Sequence, residues 1–259
     1  MKGRVRFELL LGQVLEALPP APARVVDVGG GTGQLAVALA RRGYQVTVVD
    51  ISPAMLATCA QRAAGEGEEV SAKVATLQGD ATQVAGMLGP ASQDAALCHE
   101  VVSCVEDPGA VLAALGQVLR PGGVLSLTFV NRDWLVLRAG RQGAFPAALR
   151  LLDKPVNPGD EPAAAPAPGA GTGTGTGTAV TLDELERQLA RAGFEPAGAA
   201  GVSVFAEARH DDLDSVELTQ LVELERRVAG REPYRSSSHI VHLVGKRASD
   251  GSSLPRYTR

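Results

Sequence analysis

Charged side chains close four apolar runs in the first hundred residues of this chain, and their types limit the chemistry that can gather there. Asp27 stands two residues ahead of Gly29 in V-V-D-V-G-G-G-T-G, and Asp50 ends the run V-T-V-V-D, 21 residues beyond Gly29. Gly79-Asp80-Ala81 follows a third run, and His99-Glu100 ends a fourth, D-A-A-L-C. Apolar runs that stop on a glycine turn or an acid read as buried strands whose ends gather around a ligand.

The spacing of the glycines selects among ligands. A dinucleotide loop is expected to run G-x-G-x-x-G, with a pyrophosphate on the helix N-terminus. Here Gly29, Gly31 and Gly33 are spaced G-x-G-x-G, and position 34 is Gln. A carboxylate at Asp27 repels a pyrophosphate and attracts an ammonium. S-adenosyl-L-methionine carries an α-ammonium and an α-carboxylate and has no phosphate, so electrostatics favours it over NAD. Asp50 can accept hydrogen bonds from both ribose hydroxyls, which a 2′-phosphorylated cofactor would disfavour.

The elements that position these residues follow from the pattern. Strand, glycine loop, helix, strand and acid occupy 24–50. Ser52-Pro53 caps a helix to about Ala64, strands follow at 74–77 and 94–98, and Asp107-Pro108 caps a helix to Leu119. Arg120-Pro-Gly-Gly123 turns into a fifth strand at 124–129. Such alternation specifies an α/β, doubly wound parallel sheet. Residues 7–18 carry helical spacing ahead of it, stopped by Pro19-Pro20. Beyond it, 132–154 is helical in pattern and locally basic, and Thr181-Leu-Asp-Glu184 is a capping box for a helix ending at Gly193. An extended stretch is expected at 202–205, a helix from about 213 to 228, and a last strand at 239–246. The proline-, glycine- and alanine-rich segment 155–178 reads as a flexible linker inside a single domain spanning 1–247, and 248–259 as a disordered tail.

Net charge is −4 and the isoelectric point about 5.6, so no global basic field advertises nucleic acid. Cys59, Cys98 and Cys104 lack metal-ligand or disulfide-framework spacing. His239 and His242, three apart on a strand, cannot share a face, so no metal site is expected. No apolar run approaches a membrane span and no signal-peptide core begins the chain, which predicts a cytoplasmic protein without membrane association.

With these motifs in hand, the sequence resembles the class I methyltransferases, and more closely the bacterial tRNA uridine 5-oxyacetic acid methyltransferases. The matching segments are K-G-R-V-R (2–6), V-V-D-V-G-G-G-T-G-Q (25–34), V-D-I-S (49–52), H-E-V-V-S-C-V-E-D-P (99–108), L-R-P-G-G-V-L-S-L (119–127), V-S-V-F (202–205) and L-E-R-R…R-E-P-Y (224–234). The resemblance implies a Rossmann-like sheet, mostly parallel with an antiparallel strand near the C-terminus. It implies that Arg6 pairs with the cofactor's carboxylate, that Gly29 and Gly30 let the backbone approach its methionine end, and that Asp50 holds the ribose. Ala81 and Thr82 would frame the adenine, with Asp80 as acceptor for its amino group. His99 would face the methyl-transfer site as the candidate catalytic residue. The chain departs from the subfamily pattern at 155–178, which lacks the expected basic character, and at the serine run 236–238, where an arginine is expected.

An ionised carboxylate acceptor needs no general base, and the sequence offers no obvious catalytic dyad. For an amine or hydroxyl acceptor, His99 or Glu100 would be the base. Three functions remain open at this point: a tRNA-modifying methyltransferase, a methyltransferase for a small-molecule acceptor, and a non-catalytic S-adenosylmethionine-binding protein.

Overall fold

A computed structural model of the chain describes residues 2–153, 179–206 and 214–249. The predicted linker at 155–178, Lys154, Leu213 and residues 250–259 of the predicted tail lie outside them. In chain order the elements are α1 (Lys2–Ala17), β1 (Arg24–Val28), α2 (Gln34–Ala40), β2 (Gln45–Asp50), α3 (Pro53–Ala64), α4 (Glu68–Ser71), β3 (Val74–Gln78), α5 (Val84–Leu88), β4 (Gln93–His99), α6 (Pro108–Val118) and β5 (Leu119–Val130). They continue with α7 (Arg132–Arg141), α8 (Phe145–Asp153), α9 (Leu182–Arg191), β6 (Phe194–Gly201), α10 (Ser215–Val228) and β7 (Ile240–Arg247).

The strands form one sheet in the order β3-β2-β1-β4-β5-β7-β6. β7 runs antiparallel to both of its neighbours, and the other pairings are parallel. The expected sheet and its antiparallel C-terminal strand are therefore present. Because β1 pairs with β2 on one side and β4 on the other, the chain reverses its winding at β1. A crevice opens there, at the carboxyl ends of the strands.

Each face of the sheet is covered. On one, Val26, Ala96, Leu125 and Leu243 pack against Val111 and Leu115 of α6 and Leu185 and Leu189 of α9. On the other, Val25, Val46, Leu97 and Ile240 pack against Val5 and Leu9 of α1, Leu39 of α2 and Leu56 of α3. Burial on both sides explains why the central strands read as unbroken β-branched and aliphatic runs. Local chemistry starts the helices where the sequence says. The Ser52 hydroxyl accepts the Met55 N–H and Asp107 that of Ala110, each ahead of a first-turn proline. Thr181–Glu184 and Asp214–Glu217 form reciprocal capping boxes. No helix among the described residues is long and apolar enough to cross a membrane.

Two expectations need correction. The first helix begins at Lys2, a turn and a half before its apolar period becomes visible. The stretch at 202–205 is a loop, and the sheet is extended instead by β6 just before it, whose F-E-P-A-G-A-A-G lacks β-branched residues. Among the described residues β6 pairs only with β7, at the sheet edge, where such a composition is tolerated.

The loop after β6 is built around a buried glutamate. Glu225, 1% exposed, projects from α10 and accepts the N–H groups of Val204 (3.1 and 3.0 Å), Phe205 (2.7 Å) and Ala206 (2.7 Å). V-S-V-F and L-E-R-R, two motifs distant in sequence, thus form one structural unit. Glu225→Gln replaces an accepting oxygen with a donor and is expected to cost about 2 kcal/mol, read as a lower denaturant midpoint. Hydrogen exchange should accelerate at the amides of 204–206. An unchanged midpoint with unchanged exchange would refute this account of the loop.

Candidate active site

The loop from β1 to α2 crosses the crevice, and glycine is required where it does. A Cβ on Gly30 would sit 2.5 Å from Oδ2 of Asp27 and 3.0 Å from Val48 Cγ1, so the loop backbone lies directly on the carboxylate. Gly29 adopts φ 68°, a left-handed conformation that costs other residues energy. Asp50 holds the loop from the neighbouring strand. Its Oδ2 accepts the Gly31 N–H at 2.9 Å, and its Oδ1 accepts the Ser52 N–H at 2.8 Å. One carboxylate thereby ties the glycine loop to the turn after β2.

Asp27 itself is 2% exposed, and its Oδ2 has no hydrogen-bond partner among the described residues. Burial, and then the charge of Asp50, push its carboxyl up to about 7. An unpartnered buried acid of this kind marks a site that awaits a complementary group.

From β4 come His99 and Glu100. Glu100 has φ 61°, and its N–H is held by the Thr128 carbonyl (3.1 Å) and hydroxyl (3.0 Å). Its carboxylate forms an ion pair with Arg6, which α1 brings over the crevice. Asp27, Gly29, Gly30, Arg6, His99 and Glu100 together line a cavity of about 360 Å³. His99 Nε2 lies 2.9 Å from Ser126 Oγ, which is also 2.8 Å from His242 Nε2. Burial, then the nearby His242 and Arg6, lower His99 to about 3, and burial lowers His242 to about 4. Both rings are neutral at physiological pH.

The structure brings Arg6, Gly29, Gly30 and His99 to this one cavity. It places Asp50, Asp80, Ala81 and Thr82 at the ends of β2 and β3, beside the cavity rather than in its wall. Asp80 accepts the Thr82 N–H (2.8 Å) and hydroxyl (2.6 Å), bonds that hold its carboxyl below the usual range. Ile51, directly after Asp50, is 70% exposed, an apolar surface that no sequence period marks. Ser126 and His242 are neighbours of His99 that no spacing in the sequence indicates. They meet His99 only through the topology, and His242 is 116 residues from Ser126. His239 packs instead on Trp134, with ring centroids 4.1 Å apart. Cys98 faces the core opposite His99, and burial pushes its thiol up to about 12.

A family model described as a methyltransferase domain matches residues 26–127. The tRNA 5-carboxymethoxyuridine methyltransferase of Escherichia coli strain K12 is 33% identical over 95% of this chain and 89% of that relative. The chain belongs to the class I S-adenosylmethionine-dependent methyltransferases, in the family of this relative. A second relative, the ubiquinone biosynthesis O-methyltransferase of Xanthomonas axonopodis pv. citri, is 38% identical over 47% of this chain and 49% of its own length. The fold is shared with a geranyl diphosphate C-methyltransferase from Streptomyces coelicolor A3(2), solved with Mg2+, geranyl diphosphate and S-adenosyl-L-homocysteine. That match has a TM-score of 0.58 at 15% identity and covers 93% of this chain and 77% of that one.

The raised Asp27 carboxyl gives this methyltransferase a defined pH dependence. The folded, cofactor-free protein favours the protonated acid, whereas the unfolded chain ionises it near 3.8. The fold therefore loses stability from this group between about pH 4 and 7 and no more above. A bound ammonium has the opposite preference. Affinity for S-adenosylhomocysteine is expected to rise with pH by up to about tenfold per unit as far as about 7, then level off. Asp27→Asn should flatten that profile and weaken binding at pH 8, while raising the thermal midpoint of the cofactor-free protein there. Calorimetry that finds the wild-type slope intact in the variant would remove Asp27 from this role.

Proposed function

We propose that this enzyme methylates a carboxylate, the carboxymethoxy group of a wobble uridine in tRNA, and so works in the cytoplasm. The observation that carries the reading is the relative of that activity, similar along nearly the whole chain. The chemistry of the cavity supports it. His99, with its basicity lowered to about 3, is a poor general base, and Glu100 is engaged by Arg6. An acceptor that arrives ionised needs neither.

The residues present fit the cofactor. The unpartnered Oδ2 of Asp27 suits the ammonium, and Arg6, at the cavity mouth, suits the α-carboxylate. The bare backbone of Gly29 and Gly30 leaves room for the methionine chain. Asp50 keeps lone pairs for the ribose hydroxyls after receiving two backbone N–H groups. Ile51 offers an apolar face to the adenine, and Asp80, Ala81 and Thr82 bound its edge. When bound, S-adenosylmethionine supplies a methyl on a sulfonium whose departure drives an in-line displacement. The chain's part is to align the acceptor oxygen and to exclude water, with α1 over the crevice and His99 beside the reacting groups.

Incubation with S-adenosylmethionine and tRNA bearing 5-carboxymethoxyuridine is expected to add one methyl to that nucleoside, as an ester released by mild alkali. Binding of the tRNA should weaken as salt is raised, in proportion to the phosphates contacted. Turnover of a free carboxylic acid with that tRNA left unmodified would defeat the reading.

A further inference from the structure

Three adjacent strands set polar side chains on one face of the sheet beneath the cavity. His99 of β4 stands opposite Thr128 of β5, and Thr128 stands opposite His242 of β7. Ser126, two residues before Thr128, shares that face. Ser126, Thr128 and His242 are buried, and such groups remain dry only when their hydrogen bonds are satisfied. The Thr128 hydroxyl takes the Glu100 N–H. Ser126 Oγ lies between the two imidazoles, 2.9 Å from His99 Nε2 and 2.8 Å from His242 Nε2.

A proton count limits what this bridge can be. Each neutral ring carries one N–H, and the hydroxyl carries one hydrogen. Ser126 donates to one histidine and accepts from the other, so one ring is protonated at Nε2 and the other at Nδ1. The free end of the bridge is His99 Nδ1, which is buried and has no hydrogen-bond partner among the described residues. On the proposed reading of a carboxylate acceptor, a bare lone pair at this atom would repel the substrate in a cavity that already holds Asp27 and Glu100. A donor there would hold it.

We propose that His242 donates from Nε2 to Ser126, that Ser126 donates to His99 Nε2, and that His99 thereby presents an Nδ1–H to the acceptor's carboxylate. Ser126 and His242 are then positioning residues for methyl transfer. They act through the tautomer of His99 and touch neither cofactor nor acceptor.

Nitrogen-15 spectra of histidine-labelled, cofactor-free protein test the bridge without any acceptor. Expected are a protonated Nδ1 and bare Nε2 on His99, with the reverse on His242. Ser126→Ala should let both rings mix tautomers. It should raise KM for carboxymethoxyuridine tRNA about tenfold, the loss of one hydrogen bond to a charged group, with kcat and the Kd for S-adenosylhomocysteine changed by less than about twofold. His242→Gln retains an N–H for Ser126 and should keep the wild-type His99 tautomer and KM, whereas His242→Leu should lose both. A wild-type His99 protonated at Nε2, or Ser126→Ala spectra with unmixed tautomers, would overturn the proposal. So would weaker S-adenosylhomocysteine binding with KM for the tRNA unmoved, which would assign the donor to the cofactor's own carboxylate. If wild-type protein fails to methylate the tRNA at all, the acceptor reading fails, while the tautomer bridge is still decided by the spectra.

Discussion

The site is organised around a carboxylate kept dry. Asp27 lies under the glycine loop with one oxygen unpartnered, in a place where ionisation is opposed by burial and by a second acid. The surrounding features answer to that placement. Gly30 has no side chain because the carboxylate occupies the position a Cβ would need. Asp50 draws Gly31 and Ser52 toward itself, which keeps the loop closed over Asp27. The fold accepts a destabilising group at its centre, as binding sites commonly do, because its cost is offset only when a ligand brings the missing charge.

Much of this was legible in the sequence because it is local. The change of period from strand to helix, the glycines and the acids at strand ends all fall between Arg24 and Ala81, and neighbouring strands bring them together in chain order. Caps were legible for the same reason, since Ser52, Asp107 and Thr181 each bond within three residues. What depended on the far end of the chain was not. β6 is held by its pairing with β7 rather than by its composition, so propensity alone favours the neighbouring V-S-V-F as the extended segment. Nothing in the sequence around Glu225 marks it as the acceptor for the loop at 204–206, because those amides lie about twenty residues away.

The histidines show the same limit at the site. His99 could be read from its strand end, but its chemistry is set by Ser126 and His242, which arrive on β5 and β7. Sequence spacing placed His242 beside His239 and against a metal pair. The sheet order instead placed it two strands from the crevice, where an antiparallel strand returns into a parallel sheet. The antiparallel addition is thus part of the site as well as of the fold.

The ion pair between Arg6 and Glu100 has a bearing on kinetics. Glu100 is fixed to β5 through Thr128 while Arg6 rides on α1, so the chain presents the arginine with a carboxylate of its own. Being part of the same fold, this internal partner is always at hand, whereas an external one must arrive from solution. Any external carboxylate seeking Arg6 therefore competes with a resident one, and apparent affinity scales with the fraction of molecules in which the pair is open. A small molecule bearing a lone carboxylate would have only that one contact with which to compete. On the proposed placement of the cofactor, a ligand that also engages the ammonium, ribose and adenine positions would bring further contacts with which to displace the resident acid, and its departure would let the pair close again.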